Sequence, residues 1–356
     1  MRKPSSFQCL FVAVALLALG ASPAAGETKK SFKVAWSIYV GWMPWGYAAD
    51  SGIVKKWADK YGISIEVKEF NDYVESINQY TAGAFDAVTI TNMDALSIPS
   101  AGGVDTTAMI VGDFSNGNDA VILKNKKTLA DIKGQNVNLV EFSVSHYLLA
   151  RALEGVKLAE RDLKVVNTSD SDMAAAYKTP EVTAVVTWNP IVNEILGSPD
   201  AHKVFDSSQI PGEIMDLMGA NTAVLHDNPA FGKALVGIWY ETLTKMLAKD
   251  AAATAAREAM AKASGTDLAG FDAQLKTTRL FVTPKEATAF TQSKDIAATM
   301  DHVRKFLFDK ALLGKDAKSA DVVGIEFADK SVLGDAKNVK LRFDPSFMQM
   351  AADGKL

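Results

Sequence analysis

Two hydrophobic patterns alternate along this chain. Short runs in which apolar residues alternate or stand together are followed by segments whose apolar positions recur every three or four residues, the periods of strand and helix. FKVAWSIYV (32–40) predicts a strand, residues 47–60 a helix with KKWADK on its polar face, and ISIEVKEF (63–70) a second strand. Asn71 is placed to cap a helix that runs to Tyr80 and stops at Gly83. DAVTI (86–90) is a short buried strand, a helix starts within residues 93–97, and TTAMIVGDF (106–114) is a further strand. Strands separated by helices of this length predict a parallel sheet with right-handed crossovers.

Turn-forming residues gather at SNGND (115–119), and the alternation then restarts. DAVILKN (119–125), NVNLVEF (136–142), DLKVVN (162–167), VTAVVTW (182–188) and HKVFDSS (202–208) read as strands; SVSHYLLARALEGV and DSDMAAAYK read as helices between them. VTAVVTW is an unbroken β-branched run, suited to a central parallel strand. Near MGANTAVLHD (218–227) the register changes again, and the rest is mostly helical. The reading is an α/β chain of two lobes. Residues 31–116 with 223–356 form one, residues 119–217 the other, and the crossings lie at about 115–120 and 217–223. Two crossing segments make a hinge, and a hinged cleft suits ligand capture.

A chain of 356 residues is too long for one compact core, which agrees with two lobes. Its net charge of −4, with basic residues scattered, argues against nucleic acid or an anionic membrane as a partner. Arg2 and Lys3, the apolar run LFVAVALLAL (10–19) and the small residues before Glu27 predict a cleaved export signal over residues 1–26. Its loss leaves 36 basic against 42 acidic residues and removes Cys9, the single cysteine. A periplasmic, cysteine-free monomer without direct membrane insertion is the expectation. No cofactor is expected either. GxGxxG, the P-loop, GxSxG and HExxH motifs are absent, and the histidines at 146, 202, 226 and 302 are too dispersed for a metal site.

Five segments in order, FKVAWSIYVGWMPW, DAVTITNMDAL, NDAVILKN, GQNVNLVEFSVSHYLLARALEG and TAVVTWNP, resemble the periplasmic substrate-binding proteins of ABC transporters in the nitrate/sulfonate/taurine-like group. Within it, WSIYVGWMPW and VTWNP resemble the urea carboxylase-associated branch, linked to urea and guanidine. The likeness covers about residues 32–330. It implies a type II periplasmic-binding-protein (venus-flytrap) fold with a small ligand between lobes, and ABC permease and ATPase subunits as partners. A related fold also serves as a thiamine-pyrimidine synthase with a cysteine-rich iron site, which the mature chain could not build; an enzyme is therefore not expected.

Three of the six tryptophans fall within WSIYVGWMPW (36–45). Trp36 lies inside the strand and reads as core, whereas Tyr39, Trp42 and Trp45 lie at or beyond its end. There they either pack the lobe or offer faces to a flat ligand or a cation. Trp188 and Asn189 end a buried strand and are also placed for the cleft. The family puts ligand contacts in the loop holding Asn92 and Asp94, which could equally cap the next helix. It also implies a small anion-binding turn where this chain has Glu141 and Ser143. Glu141 there would repel an anion and suit a guanidinium, unless it is a surface ion pair or a cap. Asp216, Glu213 and Asp113 are weaker acidic candidates, and His146 reads as structural. The resulting expectation is a solute-binding protein for a small planar cation, guanidine first. Urea, a sulfonate or nitrate, and a ligand sensor feeding a receptor are the alternatives.

Overall fold

The structure is a computed structural model that describes residues 29–356; the predicted export signal lies outside the described residues. In chain order its strands are β1 (Ser31–Ser37), β2 (Ser64–Phe70), β3 (Ala87–Thr91), β4 (Thr106–Ser115), β5 (Ala120–Lys124), β6 (Asn136–Leu139) and β7 (Lys164–Asn167). They continue with β8 (Ala184–Thr187), β9 (Ala201–Asp206), β10 (Met215–Asn221), β11 (Thr278–Leu280), β12 (Gly324–Glu326), β13 (Val332–Leu333) and β14 (Val339–Phe343). Two sheets result. The larger runs β13-β12-β14-β4-β10-β3-β1-β2, with β11 also on β4; the smaller runs β7-β6-β8-β5-β9. Each forms the centre of a lobe, and the architecture is the mixed α/β fold of periplasmic binding proteins.

The strands that read as continuous apolar runs are the central ones. Every residue of β3 and β8 is buried, because helices cover both faces of each sheet. At the edge, β2 alternates between half-buried and exposed positions. Trp36 is in the core, as its position inside β1 predicts, with its ring against Gly46, where a Cβ would come within 2.5 Å of the indole.

Some boundaries differ from the sequence reading. The helix expected over 47–60 is two helices, Met43–Asp50 and Ile53–Tyr61, because Gly52 takes a left-handed conformation (φ 77°) between them. Asp72 rather than Asn71 caps the next helix, its carboxylate accepting from the Glu75 N–H at 2.7 Å. The last forty residues, expected within a mostly helical stretch, instead supply β12, β13 and β14, and β14 pairs parallel with β4.

The second crossing also moves. Residues 215–221, expected at the end of the second lobe and in a crossing at 217–223, form β10 in the middle of the larger sheet, antiparallel to both β3 and β4. The chain therefore returns between β9 and β10. Strand pairing, which a single hydrophobic run cannot reveal, decides the assignment.

The lobes are in contact. Trp188 of the smaller lobe donates from Nε1 to the Ile38 carbonyl at 3.4 Å and meets Tyr73 edge-on at 5.6 Å. Arg151 grips Glu213 through two hydrogen bonds of 2.8 and 3.0 Å, and the Tyr147 hydroxyl donates to the same carboxylate at 2.6 Å. Lys310 pairs with Glu160 beside them. Among the described residues no helix is long and apolar enough to cross a membrane.

Candidate functional site

Where the strands of the larger sheet end, their loops face the smaller lobe. β10 runs opposite to β1 and β3, so its first residues lie at the same sheet edge as their last ones: Asp216 is paired with Thr91. This is the edge at which open α/β sheets take ligands. A small cavity of about 20 Å³ lies there, room for little more than one water-sized group with the lobes as they stand.

Four aromatic rings form most of its wall: Tyr39, Trp42 and Tyr73 from the larger lobe and Trp188 from the smaller. They brace one another, with Trp42 5.0 Å from Tyr39 and 5.6 Å from Tyr73 between ring centroids. Thr91, Ile214 and Val144 contribute small surfaces. The charged groups on the wall are Asp119, at the first crossing, and Asp216; no lysine, arginine or histidine lines it.

The acidic side chains extend behind the wall. Asp94, Asp113, Asp119 and Asp216 are all at most 3% exposed, and among the described residues none of them forms a salt bridge. Burial pushes the Asp94 carboxyl up to about 6, against the hydrogen bonds from Tyr73 and Thr91 (both 2.8 Å) that favour its charge. Burial likewise pushes Asp113 and Asp119 up to about 7, in the latter case against a hydrogen bond with Ser115. Asp216 is raised well above the carboxylate range, by burial first and by the neighbouring Asp113 second. Among the described residues no cluster of His, Cys, Asp and Glu is arranged to hold a metal ion.

The sequence candidates divide clearly by location. Tyr39, Trp42, Trp188 and Asp216 are on the cavity wall. Trp45 is one layer deeper, stacked on Trp239 at 5.5 Å. Asn92 is fully buried and ties down the start of β10, accepting from the Met215 N–H at 2.9 Å and donating to the Glu213 carbonyl at 3.1 Å. Asp94 holds Tyr73 and Thr91 in place from behind. Ser143 caps the helix Val144–Gly155, accepting from the Ser145 N–H at 3.2 Å, so that Val144 rather than Ser143 meets the cavity. Asn189 links the loop after β8 to Asn118 and to the backbone of Asn193.

Glu141 is the main correction. It lies on a different hollow, with Asp72, Glu75 and Asn167, not on the cavity. Its N–H donates to the Asn167 side chain at 2.9 Å, and Phe142 then turns through a left-handed conformation (φ 65°) into the helix. That turn places the glutamate in the hollow between Asp72 and Glu75 of the larger lobe and Asn167 of the smaller, rather than on the cavity wall. His146 is buried and structural: Nδ1 accepts from the Phe142 N–H at 3.1 Å, and Nε2 is 2.8 Å from Glu160. Sequence reading missed Tyr73 and Asp119. Tyr73 resembles any ring at a helix start, and Asp119 was absorbed into the turn signal of SNGND.

Comparison with solved structures places the fold. The alkanesulfonate-binding protein SsuA from Xanthomonas axonopodis pv. citri, bound to MOPS, superposes with a TM-score of 0.67 at 15% identity, over 81% of this chain and 96% of that one. The aliphatic sulphonate-binding protein SsuA of Escherichia coli gives 0.61 at 18% identity, over 80% and 88%. The nitrate-binding protein NrtA of Synechocystis PCC 6803 gives 0.59 at 14% identity, over 92% and 99%. All three are binding proteins rather than enzymes. A provisionally named binding protein of Brucella abortus (strain 2308) is 25% identical over 138 residues, which is 38% of this chain and 42% of that protein. The match thus spans less than half the length of that curated relative. The profile of the NMT1-like family matches residues 35–263, from β1 through the second lobe and back into the helices of the first, and the chain belongs to that family.

Proposed function

We propose that this protein is the solute-binding component of an ABC importer and that its ligand is a small planar cation, guanidinium being the best match. One observation carries the reading: a small aromatic cavity whose ionisable wall residues, Asp119 and Asp216, are both acidic and buried. A buried carboxylate without a counter-charge is costly, and a bound cation supplies the missing charge. The ring faces add attraction of about 0.5–2 kcal/mol per contact, and the planar N–H groups can each meet a carboxylate oxygen.

The structural neighbours are named for alkanesulfonate and nitrate, which are anions. An anion in this cavity would face two carboxylates with no basic side chain on the wall. Urea is similarly planar but brings no charge. Export to the periplasm and delivery to a permease and ATPase belong to the same proposal.

The test is isothermal titration calorimetry on protein freed of co-purified ligand by unfolding and refolding, against guanidinium, urea, taurine and nitrate at fixed ionic strength. Saturable heat with low-millimolar guanidinium and none with the anions is expected. Heat with taurine or nitrate alone would sink the cation reading.

A further inference from the structure

Strand pairing sets two carboxyl groups side by side behind the cavity. Asp113 of β4 and Asp216 of β10 are direct cross-strand partners, next to a register shift between Asp216 and Leu217. They are 0% and 3% exposed. Asp113 Oδ1 accepts from the Tyr39 hydroxyl at 3.0 Å, whereas Oδ2 of Asp113 and Oδ2 of Asp216 have no hydrogen-bond donor. As directly opposed cross-strand partners, their side chains leave the same face of the sheet from Cβ atoms about 4.5–5.5 Å apart.

The surroundings offer no positive charge. Tyr39 faces the pair from the loop after β1, Asp119 from the first crossing, and Thr278 from β11, where it lies 3.4 Å from the Tyr39 hydroxyl. Trp239, from the helix Pro229–Leu247, lines the same small inner space as both aspartates and is uncharged. On the β3 side stand Thr91 and, behind it, Asp94. Arg279, next along β11, is half-exposed and turned to Glu286 at 3.8 Å. Two adjacent carboxylates in such a setting cannot both ionise freely. One proton between them removes the repulsion and gives an otherwise donorless oxygen its hydrogen bond.

We propose that Asp113 and Asp216 share one proton in the ligand-free protein and that a cationic ligand enters in exchange for it, which makes Asp113 a specificity-determining residue although it stands behind the cavity wall. The exchange rests on the cation reading above; the shared proton does not. The balance is simple: the proton leaves to solvent as the cation's charge arrives, and the charge of the site is unchanged. A neutral ligand displaces no proton, so the site distinguishes guanidinium from urea by charge as well as by shape.

The first experiment needs no ligand. Infrared difference spectra of the ligand-free protein at pH 7, wild type minus Asp113→Asn and wild type minus Asp216→Asn, are expected to show a carboxylic-acid carbonyl band in each. Its absence from both differences, with circular dichroism showing folded variants, would overturn the proposal. Both substitutions are nearly isosteric and remove buried charge, so folding is expected.

The second experiment titrates guanidinium by calorimetry in phosphate and in Tris, whose ionisation heats differ. About one proton is expected to leave per ligand bound in the wild type and almost none in Asp113→Asn. Wild-type affinity should accordingly rise about tenfold per pH unit between pH 6 and 7, with a flatter profile in the variant. Tight binding with buffer-independent heat would overturn the exchange and leave the cation reading standing. A carbonyl band with no guanidinium heat at any pH would overturn the cation reading and the exchange with it.

Discussion

Two acidic stretches border the cleft, and they behave in opposite ways. Asp216 sits on β10, hydrogen-bonded on one side to β3 and on the other to β4. The pleat fixes the direction of its side chain, so the carboxyl group is held inside whatever that costs. Glu141 sits on a turn between β6 and the following helix, beside a residue in the left-handed region. Its longer side chain is not so confined, and it lies half-buried in a separate hollow. A carboxylate confined by a doubly paired strand keeps a desolvation penalty that only a proton or a cation can relieve. One on a turn keeps partial contact with water, pays less of that penalty and so carries less information about the ligand.

Substitutions can break this comparison. Asp216→Asn is expected to weaken guanidinium binding at least about 100-fold, close to the ~3 kcal/mol lower bound for losing one partner of a buried charge pair; calorimetry on folded variant protein measures it. Trp188→Leu should follow with about a tenfold loss, from the cation–ring contact and from the bond to Ile38 that helps close the lobes.

Proton linkage sharpens the same contrast through stability. Asp94, Asp113 and Asp119 have folded-state values of about 6 to 7, above the ordinary carboxylate range near 4. Between those values the folded chain binds more protons than the unfolded one, so stability falls as pH rises from about 4 to 7. The ligand-free protein should therefore melt several degrees higher at pH 5.5 than at pH 8, and saturating guanidinium should narrow the gap; calorimetric scans would show it. A melting temperature that rises with pH over this range would remove the buried carboxylates as the dominant titrating groups. The smallest effect expected is that of Glu141→Gln, an affinity change within about twofold. A tenfold drop there would extend the site to the turn.

Periodicity made much of the fold readable in advance. β3, β4 and β8 are dense apolar runs, as strands buried on both faces must be. β10 was the exception. MDLMGAN carries one charge and one glycine and lacks a β-branched residue, so nothing in it announces a central strand; its place comes from antiparallel partners far away in sequence. The site was partly readable for the same reason. Trp42 and Trp188 stand just beyond strand ends, where loops meet the cleft. The acidic group was harder, because the side-by-side placement of Asp113 and Asp216 depends on a register that only the folded sheet defines.

The contact between the lobes has a kinetic consequence. Trp188 and Tyr73 meet over the cavity, and the Arg151–Glu213–Tyr147 cluster holds the lobes together beside it. If a ligand held by both lobes leaves only when they part, its departure is a unimolecular event belonging to the protein. Ligands of different affinity should then share a similar ceiling on release rate and differ mainly in how often the opened protein recaptures them. The indoles of Trp42 and Trp188 provide the signal, and stopped-flow fluorescence with competing ligand in excess would read the release rate directly. Release that scales in proportion to affinity across ligands would show that the closed lobes do not set residence time.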